Sequence, residues 1–267
     1  MTRFAKAHAC GNDFLIVEGA CDRELAVNLC ARHTGVGADG VEFFTWTGER
    51  SGRIRLVNAD GSIAEISGNG TRCVAAWMTQ QKKADAGAVF ELETDAGVRA
   101  CRLVRAEGHS FEFAMGMGVP VVEKKQVLLS DCTVVDGVFV SMGNPHFVIF
   151  VDGSEGDDFR SHGLYWEEMG GQICVHRDFP EQTNVEFVRV LGRERIAIRI
   201  FERGVGPTTS SGTGTCATAS ATMFDRGKNG SLLVSAPGGE QRVEWPGRDA
   251  ELVLTGPAEL IATGEAW

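Results

Sequence analysis

Apolar and polar residues alternate with a period of two over many short stretches of this chain, the spacing of strands that bury one face. In the first half the pattern predicts strands over 14–18, 53–57, 89–93, 100–104 and 110–114. In the second half it predicts them over 134–140, 146–151, 185–190, 196–201, 232–235, 241–245 and 252–254. Three stretches switch to helical spacing. One starts after Asp22 and ends before Gly35, with Leu25, Leu29 and Cys30 on one face. The other two run over 71–82 and 215–225, are rich in alanine and carry few charges before their last turns. A helix without a polar face belongs in an interior, so both should be buried, as in a two-domain α+β fold with a central helix in each domain. Gly116 to Pro120 is the best boundary between the two domains.

Each buried helix follows a glycine-rich turn headed by serine: Ser67-Gly68-Asn69-Gly70 in the first half and Ser211-Gly212-Thr213-Gly214 in the second. N–H groups at a helix start point outward, and the helix dipole adds about half a positive charge there, so each copy can hold one side of a carboxylate. Two such ends facing each other would make a small cleft for an anion. The duplication extends further. Cys10-Gly11-Asn12-Asp13-Phe14 precedes one strand, and Met142-Gly143-Asn144-Pro145-His146-Phe147 precedes another. Gly-Asn is common turn chemistry, but two matched pairs in the same order are hard to assign to turns alone.

Composition removes several function classes. A net charge of −10 argues against a nucleic-acid or anionic-membrane surface, because both need clustered Lys and Arg. No apolar run reaches the roughly 18 residues that span a bilayer, and Lys6, His8, Asn12 and Asp13 interrupt any signal-peptide core, so a cytoplasmic location is expected. The eight cysteines contain no C-x-x-C pair, which argues for reduced thiols and against a zinc site. Gly35-x-Gly37-x-x-Gly40 satisfies a dinucleotide-binding pattern but follows a helix and opens none, so cofactor binding is not expected there.

Taken together, His8 to Phe14, Gly35 to Gly40, Asn58-Ala59-Asp60-Gly61-Ser62 leading to Ser67-Gly68-Asn69-Gly70-Thr71-Arg72-Cys73, Gly143-Asn144-Pro145-His146, Thr183-Asn184-Val185, and Glu202-Arg203-Gly204-Val205-Gly206 leading to Ser211-Gly212-Thr213-Gly214 resemble the diaminopimelate epimerases. The likeness runs to Gly256-Pro257-Ala258-Glu259 and Gly264, covering essentially the whole chain. It implies two pseudo-symmetric domains, each a β-sheet wrapped around a central helix: residues 1–117, rejoined by a final strand over 256–267, and residues 118–255. It implies a cofactor-independent isomerase with a small amino acid as its partner; a homodimer is left open. It also implies that Asn12, Asn58, Asn144, Asn184, Glu202 and Arg203 line the substrate site. The amides of Gly68, Asn69, Gly212 and Thr213 would grip the α-carboxylate. Those side chains suit a zwitterionic diamino acid: Arg203 offers a planar fork to a carboxylate, Glu202 an anion to an ammonium, and the asparagines both donors and acceptors.

The departures fall where the chemistry should be. Members of that family flank the α-carbon with two cysteines, one taking its proton as a thiolate while the other delivers a proton to the opposite face. Here those positions are Ser67 and Ser211. A cysteine ionises near pH 8.5 and a helix start lowers that further, whereas a serine hydroxyl needs another group to take its proton. Cys73 and Cys216 lie too deep in their helices to substitute and read as structural. Pro207 stands where relatives usually carry Glu, and Gly40 lacks the polar side chain of some relatives. His146 reads as a loop anchor, and Ser67 and Ser211 double as helix caps. Three functions follow: an epimerase weakened by its serines, a relative with hydroxyproline-type dehydratase or racemase chemistry, and a non-catalytic amino-acid-binding homologue.

Overall fold

The computed structural model describes residues 1–64, 66–153 and 158–267. The chain divides into two units, Met1–Gly116 with Thr255–Trp267, and Met117–Leu254.

The first unit contains β1 (Thr2–Ala9), β2 (Asn12–Glu18), α1 (Arg23–Cys30), β3 (Gly40–Trp46), β4 (Ser51–Asn58), β5 (Ile63–Ala64), α2 (Gly68–Lys82), β6 (Val89–Thr94), β7 (Gly97–Glu107) and β8 (Ser110–Gly116). Alternation explains the strands: in β6 Phe90, Leu92 and Thr94 point inward while Val89, Glu91 and Glu93 point out. β1 pairs with β2, β2 with β3, β3 with β4, β4 with β6, β6 with β7 and β7 with β8. The chain's last strand lies over Val253–Ala266; it pairs with β8 and, between Glu259 and Ala266, with β1, and so closes the ring. α2 packs against β1, β2, β3, β6, β7 and β8, and every residue from Gly68 to Thr79 is buried. Its small residues let strands approach on all sides, which is why its sequence has no polar stripe.

The second unit contains β9 (Val121–Leu128), β10 (Val134–Ser141), β11 (Pro145–Phe150), β12 (Arg160–Ser161), β13 (Leu164–Tyr165), α3 (Trp166–Cys174), β14 (Asn184–Val190), β15 (Arg195–Glu202), β16 (Gly206–Thr208), α4 (Gly212–Asp225), β17 (Gly230–Ala236) and β18 (Gly239–Trp245), ahead of β19 (Val253–Ala266). β10 and β11 are antiparallel, β11 and β14 parallel, β14 and β15 antiparallel, β15 and β17 parallel, β17 and β18 antiparallel. β1, β2, β3, β4, β6 and β7 follow the same alternation of senses. α4 packs against seven of the unit's strands, and Cys216, Ala217, Ala219, Ala221 and Met223 join its core. A separate cluster around Phe147, Ile149, Phe187, Met169 and Ile173 seats α3.

Several expectations need correction. β1, β3, β9 and α3 were not legible as elements, and the strand expected over 252–254 runs far longer, as Val253–Ala266. The two buried helices begin at Gly68 and Gly212, three residues before the expected 71 and 215, because the serine ahead of each glycine turn is itself the cap. No helix among the described residues is long and apolar enough to cross a membrane.

The glycine cluster at 35–40 has a structural explanation. Gly35 N–H donates to Ala31 O, Val36 and Gly37 N–H donate to Leu29 O, and Gly37 adopts φ +79°. The chain thus folds back over the end of α1 and enters β3. A Cβ on Gly35 would collide with the backbone oxygens of Asn28, Leu29 and Ala31, none of which can rotate away. Gly35→Ala is therefore expected to lower stability by at least the upper part of the overpacking range of about 1 to 3 kcal/mol, read by urea denaturation. An unchanged midpoint would contradict this packing.

Candidate active site

Each glycine turn builds its own polar cluster within its own unit. At the start of α2, Ser67 adopts an extended backbone and its Oγ accepts from Gly70 N–H at 3.0 Å. Asn69, one residue into the turn, donates to Asn12 Oδ1 at 3.2 Å, and Asn12 donates to Asp39 Oδ2 at 2.7 Å. Arg72, fully buried, donates to Asn69 Oδ1 at 2.6 Å. Asp39 is held from the other side by Arg32 at 2.7 Å. Asn58 ends β4 opposite Gly40 and donates to Ser62 Oγ at 3.0 Å. Asn12 and Asn69 are in direct contact, whereas Asn58 belongs to a neighbouring turn.

At the start of α4, Ser211 Oγ accepts from Gly214 N–H at 3.1 Å and lies 3.4 Å from Thr213 Oγ1. Asn184, opposite His146 across β14 and β11, donates to Pro145 O at 3.1 Å and accepts Arg203 N–H at 2.9 Å. His146 is fully buried; its Nε2 lies 3.1 Å from Asn144 Oδ1 and its Nδ1 lies 2.6 Å from Glu186 Oε1. His146 does hold the loop residue Asn144, but it also pairs with a carboxylate. Arg203 is exposed and donates to Glu181 O at 2.9 Å. Glu202 ends β15; burial first, then the charge of Glu186, pushes its carboxyl above the ordinary range.

Sequence reasoning missed Glu42 and Glu186, both fully buried. Register shows their correspondence: Glu42 lies opposite Ile16 on the parallel pair β2 and β3, two residues after Gly40 opposite Phe14. Glu186 lies opposite Val148 on the parallel pair β11 and β14, two residues after Asn184 opposite His146. Each carboxylate reaches the first turn of its unit's central helix. A Cβ on Gly70 would collide with Glu42 Oε1, and one on Gly214 would come within 2.9 Å of Glu186 Oε1. A side chain at Gly70 or Gly214 would thus force the glutamate beneath it to shift. Their signal was a charge inside an otherwise apolar strand, Val41-Glu42-Phe43-Phe44 and Val185-Glu186-Phe187-Val188.

Burial pushes Glu42 up to about 8 and raises Glu186 as well, the latter opposed by His146. Because Glu42 is raised on folding, the folded protein holds a proton there that the unfolded chain has released. Stability is fully present below the ordinary carboxylate range and falls as pH rises toward about 8. Glu42→Gln cannot ionise, so between about pH 5 and pH 8 it should lose less stability than the unmutated protein; parallel denaturation curves over that window would contradict a raised Glu42. Cys73 and Cys216 are buried in the helices, and burial pushes the Cys73 thiol up, away from ready ionisation.

Residues 4–122 and 138–261 match the family model described as Diaminopimelate epimerase. The diaminopimelate epimerase of Rippkaea orientalis is 34% identical over 284 residues, covering 98% of this chain and 97% of that protein. That of Corynebacterium glutamicum is 36% identical over 276 residues, covering 98% and 97%. Among solved structures, a hydroxyproline epimerase from Agrobacterium vitis with bound trans-4-hydroxy-L-proline aligns with a TM-score of 0.72 at 18% identity, covering 98% of this chain and 91% of that one. A Bacillus anthracis phenazine biosynthesis protein of the PhzF family aligns with a TM-score of 0.71 at 14% identity, covering 100% and 99%. These two share the fold. The matches over nearly the full length place this chain in the diaminopimelate epimerase family, a family of amino-acid isomerases.

Proposed function

We propose that this protein epimerises diaminopimelate at its α-carbon, with Ser67 and Ser211 acting on its proton. The fold under this reading is α+β, with two pseudo-symmetric domains over 1–117 with 256–267, and 118–255. The observation that carries the reading is the repeated helix start: a serine, a glycine turn and an asparagine-rich polar set recur in both units of a chain that matches the family over nearly its whole length. The amides at Gly68 and Asn69, and at Gly212 and Thr213, hold the α-carboxylate and stabilise the charge that spreads into it as the proton leaves. Arg203, Asn58 and Asn184 receive the second carboxylate, Glu202 attracts an ammonium group, and Asn12 and Asn144 orient the amino acid. No group of this reading requires a cofactor.

Capping of helix starts by both serines favours a second reading, an amino-acid-binding homologue without turnover. Incubation with LL-diaminopimelate in deuterated water separates the two. Exchange of the α-proton with conversion to the meso isomer is expected; tight binding without any exchange would establish the second reading, and absence of both would remove diaminopimelate as the ligand.

A further inference from the structure

Serine at the proton-transfer position needs a neighbour that can take its proton, and each unit buries a carboxylate at that turn. The N-terminal unit gives the sharper case. Glu42 projects from β3 in a run of apolar residues, is fully buried, and neither of its oxygens has a hydrogen-bond partner among the described residues. An orphaned buried carboxyl costs stability, and burial alone accounts for its raised pKa. It aims at the place of the missing Cβ of Gly70, and Ser67 Cβ borders the same place at 3.3 Å. Ser67 Oγ accepts from Gly70 N–H, which leaves the hydroxyl proton available to donate.

We propose that Glu42 is the proton acceptor of Ser67, forming with it a serine–carboxylate pair that replaces a self-ionising thiol. The inference rests on the epimerase reading above. In the forward step, which requires Glu42 in its ionised form, the α-C–H bond breaks, its proton goes to Ser67 Oγ, and the hydroxyl proton passes to a Glu42 carboxylate oxygen. The electron pair left on the α-carbon delocalises into the substrate carboxylate. The reverse step returns both protons, so no oxidant, reductant or co-reactant is consumed. Glu42 accepts only when ionised, and a carboxyl raised to about 8 is then a stronger base than an ordinary glutamate. The C-terminal unit has the register equivalent: Glu186 Oε1 and Ser211 Oγ lie 2.9 and 3.3 Å from the missing Cβ of Gly214. There His146 stands where β2 has Phe14, and its Nδ1 occupies Glu186 Oε1 at 2.6 Å. Glu42 lacks such a partner, which leaves it as the group with unused acceptor capacity.

The test follows α-proton exchange of diaminopimelate, starting from either isomer, in the unmutated protein and in Glu42→Gln, Ser67→Cys, the combination of those two, and Ser67→Cys with Ser211→Cys. Glu42→Gln is expected to lower kcat by about 100-fold or more with KM unchanged. Adding Ser67→Cys should restore exchange, since a thiolate needs no acceptor, and that recovery also shows that the glutamine variant folds. Undiminished exchange in Glu42→Gln overturns the proposal. So does failure of Ser67→Cys to restore it when Ser67→Cys alone is active, because Glu42 would then serve the fold only. An unmutated protein that exchanges nothing also overturns the pair; the double cysteine variant then decides separately on the epimerase reading, which stands if that variant turns over and falls if it does not.

Discussion

Replacing Ser67 and Ser211 together with cysteine is expected to raise epimerase turnover by orders of magnitude. Sulfur and oxygen side chains are close in size, and both positions keep their extended backbone ahead of a glycine turn, so the exchange leaves the helix starts as built. What changes is the acid. Serine transfers its proton only against a neighbour such as Glu42, whereas a cysteine at a helix N-terminus ionises in the working range by itself. Cysteine at one position alone should allow α-proton exchange with solvent but poor inversion, because inversion needs an acid on the opposite face. The readouts are kcat for conversion of LL to meso isomer and the exchange rate by proton NMR. Brisk turnover by the unmutated protein, with no gain in the double variant, would show that the serines are fully competent bases.

Local patterning made much of this molecule readable. The alternating strands of β6 and the alanine-rich runs of α2 and α4 stand out because burial forces their periodicity. β1 and β9 were hidden for the opposite reason. β9 carries Glu123, Lys124, Lys125 and Gln126 and is mostly exposed, and β1 mixes Lys6 and His8 among its alanines. Both are fixed by pairing, β9 with β10 and β1 with β2 and with the sequence-distant β19. α3 was missed because two glycines interrupt it; Gly170 is needed there, since a Cβ would meet Phe201 Cβ at 2.8 Å and its ring at 2.9 to 3.1 Å.

The candidate site was readable at its turns and unreadable beneath them. Ser67, Ser211 and the Gly-Asn pairs announce themselves by repetition, and Asn12 with Asn69 does form one hydrogen-bonded set. Glu42 and Glu186 belong to apolar strands, and nothing in sequence says that a carboxylate 26 residues upstream of a helix start lies under its first turn. That knowledge came from register: parallel pairing of β2 with β3 and of β11 with β14 puts the two glutamates at matching heights. The Gly70 and Gly214 positions then explain themselves, since any side chain there would occupy the carboxylate's place.

Arg203→Ala is expected to remove detectable binding of diaminopimelate. The guanidinium is exposed, and its contact in the free protein is to the Glu181 carbonyl through one nitrogen, so the remaining donors of the fork can meet a carboxylate. Deleting one partner of a charge-assisted contact that the bound ligand buries costs about 2 to 5 kcal/mol, which corresponds to roughly 30-fold to several-thousand-fold in affinity. The substitution is a clean one, because Asn184 is held by the backbone N–H of Arg203 and not by its side chain. The turn that follows depends on Gly204 at φ +77° and on Val205 N–H donating to Glu202 O, neither of which alanine at 203 disturbs. Arg203→Lys should recover only part of the loss, since a point charge replaces a planar fork. Calorimetry with diaminopimelate measures all three proteins; equal affinity in the alanine variant would take Arg203, and the second-carboxylate position with it, out of the site.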